Sequence, residues 1–434
     1  HLKVLRVLEQ AEALTQRYHV VVANPPFMGS LGMNRAMRDY LEANYGDYKA
    51  DLFAAFIIRI CSLTVPGGMT GIMSPFVWMF LSSYETLRHR LVTEFTIKSL
   101  VQPEYHSFFE SAYVPICAFT IFNGRSENKS VFIRLQAFYG ESVQSVKALE
   151  AIRNPSVKWR HEVRPRTLTA IPGAPLAYWA PDAVRSLYTS ATLLSDFAKP
   201  RAGLATGDNT RFQRWWHEVA KSRIGFTAQS TEETKSLSSR WYPCNSGGPF
   251  RKWYGNAETV VNWENDGSEI RNFFGKNGRL ASRPQNTDYY FKRGVTWTKL
   301  GSSNFAARYS PGGFVFDDTG RSAFPNDESE VWFLLALMCS SATNYFLSLL
   351  NPTMSFTSGD IARLPAMKPP SFDSEIPKAA FAFAKEDWDN FETSWDFRDQ
   401  PLLRPELKGA TLEASWRNWE AQSTAAIRRM QELE

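Results

Sequence analysis

The run Val20-Val21-Val22-Ala23-Asn24-Pro25-Pro26-Phe27 constrains the fold of this chain more than any other stretch. Its three successive β-branched residues predict a buried strand of a parallel sheet. The strand is expected to end before Asn24, because the two prolines that follow cannot extend a sheet ladder and do not easily enter a helix. Open α/β sheets bind their ligands at the carboxyl ends of their strands, so we expect residues 24–27 to form a ligand-binding loop.

Helices and strands alternate around this run. The spacing of leucines over residues 1–18 predicts a crossover helix that leads into the strand. Asp51 is the expected N-cap of a helix over residues 52–63, and Pro66-Gly67-Gly68 is the expected turn after it. A helix over residues 84–91 and strands over residues 69–73, 97–101, 114–122 and 131–136 are expected to follow. Residues 1–140 therefore predict an α/β domain, the C-terminal half of a doubly wound sheet finished by an antiparallel pair.

The remaining chain divides by composition. Residues 141–193 are rich in Pro, Arg and Trp with little periodicity, so we expect a linker or a crossing segment. Residues 194–367 are dense in Gly, Asn, Trp, Tyr and Arg and predict a second domain of the α+β class, and residues 368–434 predict an acidic helical tail. The apolar run 331–350 contains several hydroxyl and amide residues and lacks basic flanks, which favours a buried helix over a membrane span.

Charge is unevenly distributed along the chain. The formal net charge is only +5, but residues 201–310 carry 17 Lys and Arg against 9 Asp and Glu, and the rest of the chain is net negative. This excess predicts a polyanionic partner for the second domain. The four cysteines show neither pairing nor metal-ligand spacing, which indicates reduced thiols in a cytoplasmic protein without a metal site or a membrane. We also expect no secretion signal, because no basic-then-apolar leader is found.

The loop at residues 24–27 suits an exocyclic amine on a flat base. The Asn24 side-chain oxygen and the Pro25 carbonyl are hydrogen-bond acceptors for the amine, and Phe27 offers a ring for stacking. Acceptors aimed at the N–H groups favour a more nucleophilic nitrogen as a methyl group arrives, so they act mainly in the transition state. The same four residues are also compatible with a simple turn after a strand.

The order and spacing of these elements resemble the gamma-class DNA adenine-N6 methyltransferases. The strand, Asn24-Pro25-Pro26-Phe27, the helix start at Asp51-Leu52-Phe53-Ala54-Ala55-Phe56 and the Pro-Gly-Gly turn all match. The resemblance implies a Rossmann-like class I methyltransferase fold, S-adenosyl-L-methionine as cofactor, a catalytic role for Asn24, Pro25, Pro26 and Phe27, and cofactor contacts from Asn24 and Phe56. It also implies that Phe109 is the second ring that sandwiches the flipped base. Phe108 is an alternative to Phe109, and a core role stays open for Phe56 and for Phe109.

Longer strings in the second domain and in the tail resemble a narrower group, the BREX phage-defence adenine methyltransferases and related single-chain restriction-modification enzymes. They are residues 203–209, 252–256, 262–267, 359–365 and 392–397. The resemblance implies a site-specific DNA adenine-N6 methyltransferase of bacterial phage defence, with double-stranded DNA and other defence subunits as partners. Basic and planar side chains of the same region are candidate DNA contacts: Arg211, Arg214, Arg251, Lys252, Trp253, Tyr254, Lys292 and Arg293.

Three alternatives stay open. One is a fused type IIG restriction-modification enzyme, although no Asp…Glu-x-Lys nuclease arrangement is convincing in this chain. Another is a recognition module that is inactive alone, because no Gly-rich strand-to-helix loop for an adenosyl cofactor is found and the cofactor-binding half is expected to lie outside the chain. The third alternative concerns the target, because Asn-Pro-Pro-Phe also permits cytosine-N4.

Overall fold

A computed structural model of the protein describes residues 2–105, 115–301, 304–353 and 355–434. The chain forms two compact units. The first comprises His1–Ser190 with Leu349–Asn351, and the second comprises Ala191–Ser348 with Pro352–Glu434.

The first unit alternates helices and strands. In chain order its elements are α1 (Leu2–Thr15), β1 (Tyr18–Ala23), α2 (Arg35–Tyr45), α3 (Leu52–Leu63), β2 (Thr64–Pro75), α4 (Glu85–Thr93), β3 (Thr96–Gln102), β4 (Ile116–Phe122), β5 (Ser130–Arg134), α5 (Glu141–Arg153), β6 (Arg160–Val163) and α6 (Asp182–Leu187). The helices and strands predicted from the hydrophobic pattern are thus present, with ends shifted by a few residues.

The strands form one six-stranded mixed sheet in the order β1-β2-β4-β3-β5-β6. β1 pairs with β2 in parallel and β3 pairs with β5 in parallel, whereas β4 and β6 are antiparallel to their neighbours. The four strands β1, β2, β3 and β5 therefore run in one direction, and their carboxyl ends lie at one edge of the sheet. The predicted antiparallel pair at the end of the domain is wrong, because β4 lies between β2 and β3 and does not pair with β5, which is parallel to β3.

β1 differs from its prediction as a buried strand. It lies at an end of the sheet, where β2 is its single strand partner among the described residues. Val20 is 63% exposed and Val22 is 77% exposed. A β-branched run indicates that a strand prefers apolar surroundings, but it does not identify the element that supplies them. α1 is likewise exposed along its apolar residues.

Two predicted boundaries are also wrong. Residues 141–193 are not a free linker, because α5 lies within them and β6 pairs with β5 in the sheet. Pro66-Gly67-Gly68 is part of β2 rather than a turn before it. There the pairing register with β1 shifts, Gly67 has a φ of 79°, and a Cβ on Gly68 would press against the His19 carbonyl oxygen. The segment is therefore an irregularity within a continuous strand, which glycine permits.

A buried arginine holds the first unit together. Arg88 of α4 is fully buried, and its guanidinium donates to the carbonyl oxygens of Gly173 (2.8 and 3.0 Å), Trp78 (2.9 Å) and Leu81 (2.6 Å). The two bonds to Gly173 join residues 85 positions apart in the chain. Because backbone carbonyls satisfy the charge, the arginine is tolerated beside the apolar core of the sheet.

The second unit contains two four-stranded sheets and several helices. Its elements are α7 (Leu194–Phe197), β7 (Ala198–Arg201), α8 (Asn209–Phe212), β8 (Gln213–Trp215), β9 (Trp241–Asn245), β10 (Thr259–Asn262), α9 (Glu264–Arg271), β11 (Gly294–Thr298), β12 (Ala307–Ser310), β13 (Val315–Phe316), β14 (Gly320–Pro325), α10 (Val331–Cys339), α11 (Ser341–Leu350), α12 (Ser358–Ala362), α13 (Glu375–Asp389) and α14 (Leu412–Leu433). The sheet orders are β13-β9-β10-β8 and β12-β11-β14-β7.

A buried carboxylate organises the turn between β13 and β14. Asp317 Oδ1 accepts from the backbone N–H groups of Thr319 (2.8 Å) and Gly320 (2.7 Å), and Asp317 Oδ2 accepts from Gln213 Nε2 (2.9 Å). The backbone N–H of Asp317 donates to the Asn245 carbonyl. Gly203 lies against β13, because a Cβ on Gly203 would overlap the carbonyl group of Phe316. The loop at residues 203–209 thus has a structural role.

The apolar run 331–350 forms two helices, α10 and α11, that meet at a bend of 69°. Among the described residues, no single helix is long and apolar enough to cross a membrane. The bent pair reaches that length and apolar composition only when its two helices are taken together, and no other feature of the described residues indicates a span. The four cysteines are free and buried, as their spacing predicted.

We expect Arg88→Met to lower the free energy of unfolding of the first unit by about 3 kcal/mol, because three buried carbonyl groups lose their donor. Urea denaturation followed by tryptophan fluorescence measures the change. Arg90→Met is the matched control on the same helix. Arg90 forms a partly exposed pair with Glu94 at 2.8 Å, and its loss is expected to cost below about 1 kcal/mol. Equal losses in both variants would contradict the role given to Arg88.

Candidate active site and DNA-facing residues

The segment Asn24-Pro25-Pro26-Phe27 follows β1 at the edge of the sheet where the parallel strands end. Pro25 is buried, whereas Asn24, Pro26 and Phe27 are exposed, and Phe27 has 37% of its surface accessible. The Asn24 side chain forms no hydrogen bond within the described ranges. One proline therefore anchors the segment, and the amide and the ring remain available to a ligand.

Asp51 fixes the far end of this loop. Its Oδ1 accepts from the Met28 backbone N–H at 3.0 Å and from the Phe53 backbone N–H at 3.3 Å. The Leu52 N–H also donates to the Met28 carbonyl, at 3.1 Å. The predicted N-cap of α3 is therefore confirmed, and the same carboxylate holds the chain directly after Phe27.

Residues of α3 divide into core and surface. Phe53 is buried and packs against Tyr84 with ring centroids 5.4 Å apart. Burial, with a smaller contribution from the Asp51 charge, raises the pKa of Tyr84 to about 12, so its hydroxyl stays neutral. Phe56 is 40% exposed on an otherwise mostly buried helix. Phe56 is therefore not a core residue, and its ring is accessible to a flat ligand.

The expected second stacking ring cannot be placed. Phe109 and its alternative Phe108 lie outside the described residues, and their role stays a prediction. Tyr105, just before them in the chain, stacks on Phe76 with centroids 5.5 Å apart and an interplanar angle of 22°. Phe76 follows β2 and Tyr105 follows β3, so aromatic side chains gather at the edge of the sheet that carries Asn24.

Two of the expected DNA-binding cations form ion pairs within the second unit. Arg251 Nη1 lies 3.0 Å from Asp387 Oδ2 of α13, and its guanidinium lies 4.8 Å from the ring centre of Trp388. Lys252 Nζ lies 2.5 Å from Glu434 Oε1. Both cations therefore hold the C-terminal helices and are not free for phosphates.

Trp253 and Tyr254 are buried, which contradicts the prediction that they contact DNA. Trp253 Nε1 donates to Glu434 Oε1 at 2.7 Å, and Tyr254 packs edge-on against Phe381 of α13 at 5.4 Å. Burial raises the pKa of Tyr254 to about 12. Planar and basic residues in this segment led to the prediction of DNA contacts. Their partners within the protein lie more than 100 positions away in the chain, and no local sequence pattern identifies such distant partners.

The other four expected DNA contacts lie nearer the surface. Arg211 is exposed, 3.7 Å from Glu269, and its guanidinium lies over Phe212 and Phe273. Arg214 is half-buried and donates to the Gln213 carbonyl at 2.7 Å. Lys292 and Arg293 are exposed, and no ion pair is found for either among the residues described.

The sequence interpretation missed a hairpin over residues 273–281. Phe274 and Leu280 are antiparallel partners in it, and its tip carries the exposed cations Lys276 and Arg279. The pair Asn277-Gly278 is typical of tight hairpin turns and predicts this hairpin, but it lies among other glycines and does not stand out in the sequence. Arg283, just after the hairpin, is also exposed. In the described part of the chain no group of three or more His, Cys, Asp and Glu has the geometry of a metal site.

Residues 6–109, which include the Asn24 loop and α3, match the family described as Eco57I restriction-modification methylase. Two curated relatives align with nearly the whole chain. The adenine-specific methyltransferase PglX of Lacticaseibacillus casei (strain Zhang) is 34% identical over 428 residues, 96% of this chain and 35% of the relative. The adenine-specific methyltransferase BrxX of Escherichia coli O9:H4 (strain HS) is 34% identical over 426 residues, 96% of this chain and 33% of the relative. The chain thus spans about a third of these relatives.

Two solved structures have a similar fold. The Type IIL restriction-modification enzyme MmeI in complex with DNA aligns with a TM-score of 0.56 and 13% identity, over 96% of this chain and 54% of the other. A nuclease-deletion mutant of the Type ISP restriction-modification enzyme LlaGI, in complex with a DNA substrate mimic, aligns with a TM-score of 0.52 and 11% identity, over 90% of this chain and 37% of the other. At these identities the likeness concerns the fold alone.

The sequence relationship covers both units, from the loop after β1 to the C-terminal helices. The chain is therefore similar over nearly its whole length to part of the adenine-specific methyltransferases PglX and BrxX, and residues 6–109 of its first unit match a restriction-modification methylase family.

Proposed function

We propose that this chain carries the target-base loop and the DNA-recognition unit of a site-specific DNA adenine-N6 methyltransferase that uses S-adenosyl-L-methionine and acts in bacterial phage defence. The observation that carries the proposal is the loop after β1, in which Asn24 and Phe27 are exposed while Pro25 and Asp51 fix the backbone on either side. The similarity to adenine-specific methyltransferases supports the substrate, and the resemblance of the longer strings to BREX methyltransferases supports the defence role.

The loop supplies positioning rather than acid-base chemistry. The Asn24 side-chain oxygen and the Pro25 carbonyl accept the two N–H groups of the adenine amine, which localises the nitrogen lone pair toward the incoming methyl group. Phe27 stacks on the flipped base and offsets part of the unstacking cost of a few kcal/mol. The cofactor supplies the electrophilic methyl group. Because the loop is held at both ends, these groups need little reorganisation when the base arrives.

The residues present fit one side of such a cofactor. Phe56 offers an exposed ring for its adenine, and Asn24 lies at the edge of the sheet where ligands bind. The open side of β1, with Val20 and Val22 exposed, and the greater length of the relatives support the proposal that a further part of the enzyme completes the sheet and holds most of the cofactor. That part is the cofactor-binding half of a class I methyltransferase fold.

We expect Asn24→Ala to abolish adenine methylation and to leave duplex binding within about twofold, because the variant loses an acceptor needed mainly in the transition state. Asn24→Asp keeps the acceptor oxygen and is expected to retain measurable activity. Both variants are made in the natural polypeptide that contains this chain, and N6-methyladenine in DNA is measured by mass spectrometry. Asn44→Ala, at an exposed position on α2, is the control. Full activity of Asn24→Ala would remove the catalytic assignment.

We expect Phe27→Ala to lower methylation about tenfold or more, because the flipped base loses its stacking partner, an interaction of roughly 1–3 kcal/mol. A target adenine placed in a mismatch costs less to flip, so it should restore part of the missing rate. Single-turnover methylation of matched and mismatched duplexes measures this effect, and Phe27→Tyr should behave as the unchanged enzyme. If the mismatch gives no recovery, Phe27 does not act on base flipping.

We expect the isolated 434-residue chain to bind S-adenosylmethionine far more weakly than the micromolar range, because most of the cofactor site lies outside it. Isothermal titration calorimetry of the chain, with the longer natural polypeptide as control, tests this expectation. Micromolar binding by the chain alone would contradict it. In that case residues of this chain suffice for the cofactor.

A fused restriction-modification enzyme is the second candidate, favoured by the match of residues 6–109 to the Eco57I restriction-modification methylase family. Incubation of the longer polypeptide with unmethylated and methylated DNA separates the two functions. Cleavage of the unmethylated DNA alone would establish the restriction function, and methylation without cleavage would establish the methyltransferase alone.

A further inference from the structure

The hairpin over residues 273–281 is a well-formed ribbon. Phe274 and Leu280 pair as antiparallel partners, and the Ala281 N–H donates to the Phe273 carbonyl at 2.9 Å. The Gly275 N–H donates to the Arg279 carbonyl at 2.8 Å, and Gly278 has a φ of 69°, which closes the turn. The ribbon therefore has a defined shape before any partner binds.

The root of the hairpin is rigid. Phe273 is half-buried and packs edge-on against Phe212 with centroids 5.1 Å apart. The chain after the ribbon runs beside the loop at residues 203–209, where Arg283 and Ala205 exchange both backbone hydrogen bonds, at 2.7 and 3.0 Å. Ser282 is buried, and its hydroxyl donates to the Ile270 carbonyl. Packing and hydrogen bonds therefore fix the base of the hairpin, while its tip is exposed.

Apolar side chains of the hairpin face solvent. Phe274 is 59% exposed and Leu280 is 50% exposed, although they are cross-strand partners and so lie on the same face of the ribbon. No ring contact is found for Phe274 among the described residues. This exposed apolar pair therefore lies on one face of the hairpin, where a partner surface can cover it.

The charges beside this apolar pair are mostly positive. Residues 276–293 contain five Lys and Arg and a single acidic residue, Asp288. The five cations are exposed and form no ion pair within the described ranges: Lys276, Arg279, Arg283, Lys292 and Arg293. By contrast, Arg251 and Lys252 are neutralised by carboxylates of the same unit. The hairpin and the residues just after it therefore carry a group of exposed cations that no described carboxylate neutralises.

We propose that the 273–281 hairpin enters the major groove of the target duplex and reads its sequence. The groove is about 12 Å wide and admits a two-stranded ribbon. Lys276 and Arg279 at the tip are placed to donate to guanine edges, and Phe274 and Leu280 are placed to contact thymine methyl groups. Arg283, Lys292 and Arg293 neutralise flanking phosphates. The assignment rests on the proposed function, since it takes the substrate to be duplex DNA.

The double variant Lys276→Ala/Arg279→Ala tests the tip. Made in the longer natural polypeptide, it is expected to lower the ratio of target to unrelated duplex affinity by roughly tenfold to a hundredfold for each base that is no longer read, and to relax the methylated sequence. Lys292→Ala/Arg293→Ala should instead weaken both duplexes alike and reduce the salt dependence of binding, by about one charge for each phosphate that is no longer neutralised. Fluorescence anisotropy at several salt concentrations measures affinity, and sequencing of methylated positions measures specificity.

Lys221→Ala/Arg223→Ala is the matched control, because it removes two exposed cations of the same unit that are not part of the hairpin. It should leave the specificity ratio and the methylated sequence unchanged. Thermal unfolding of all variants verifies the fold, since every changed side chain is exposed. A tip variant that methylates the same sequence with an unchanged ratio overturns the role of the hairpin, as does a tip variant indistinguishable from the control. If the unchanged protein neither methylates DNA nor prefers any duplex, the proposed function itself falls.

Phe274→Ser/Leu280→Ser separates DNA from a protein partner. If the apolar pair contacts thymine methyl groups, the variant should lose preference at the A·T positions of the target and keep its affinity for unrelated DNA. Unchanged preference at every position of the target would overturn the groove assignment and leave the pair to another kind of partner.

Discussion

A single carboxylate oxygen sets the geometry of the candidate site. Asp51 Oδ1 accepts hydrogen bonds from the backbone N–H groups of Met28, in the loop after β1, and of Phe53, in α3. At the other end, the parallel register of β1 with β2 fixes the chain up to Ala23. Between these two fixed points lie two prolines with restricted φ angles. The loop has little freedom left, so the exposure of Asn24 and Phe27 is a built feature rather than an accident of a mobile segment.

Local signals in the sequence predicted the parts of the structure that depend on local causes. The end of β1 at Asn24 follows from proline chemistry, and the start of α3 follows from an Asp at an N-cap before an apolar helix. The exposure of β1 could not be predicted, because a run of valines indicates a need for apolar neighbours but not their identity. The contact partners of Trp253 and Tyr254 were equally inaccessible, since a composition rich in Arg and Trp is the same whether the rings face DNA or a helix of the same unit.

Electrostatics divides the basic residues of the second unit into two groups with different consequences. Cations paired with carboxylates, as Arg251 is with Asp387, hold secondary elements together and contribute little to the field outside the protein. Unpaired exposed cations, as at Lys276 and Arg279, contribute to that field in full. A count of charges along the sequence adds both groups and therefore overstates the area that attracts a polyanion, whereas the structure separates the paired cations from the exposed, unpaired ones such as those of the hairpin.

The open side of β1 also bears on how this polypeptide behaves in solution. A strand with unpaired N–H and C=O groups, flanked by exposed valines, is a template on which another strand can add, and sheet proteins usually guard such a position with lysine, proline or a covering element. No lysine or proline lies within β1, whose residues are Tyr-His-Val-Val-Val-Ala. Handled without a covering element, the first unit therefore carries its own site for edge-to-edge aggregation. A polypeptide that lay along this strand would cover the exposed valines, so expression yield would report whether this edge is covered.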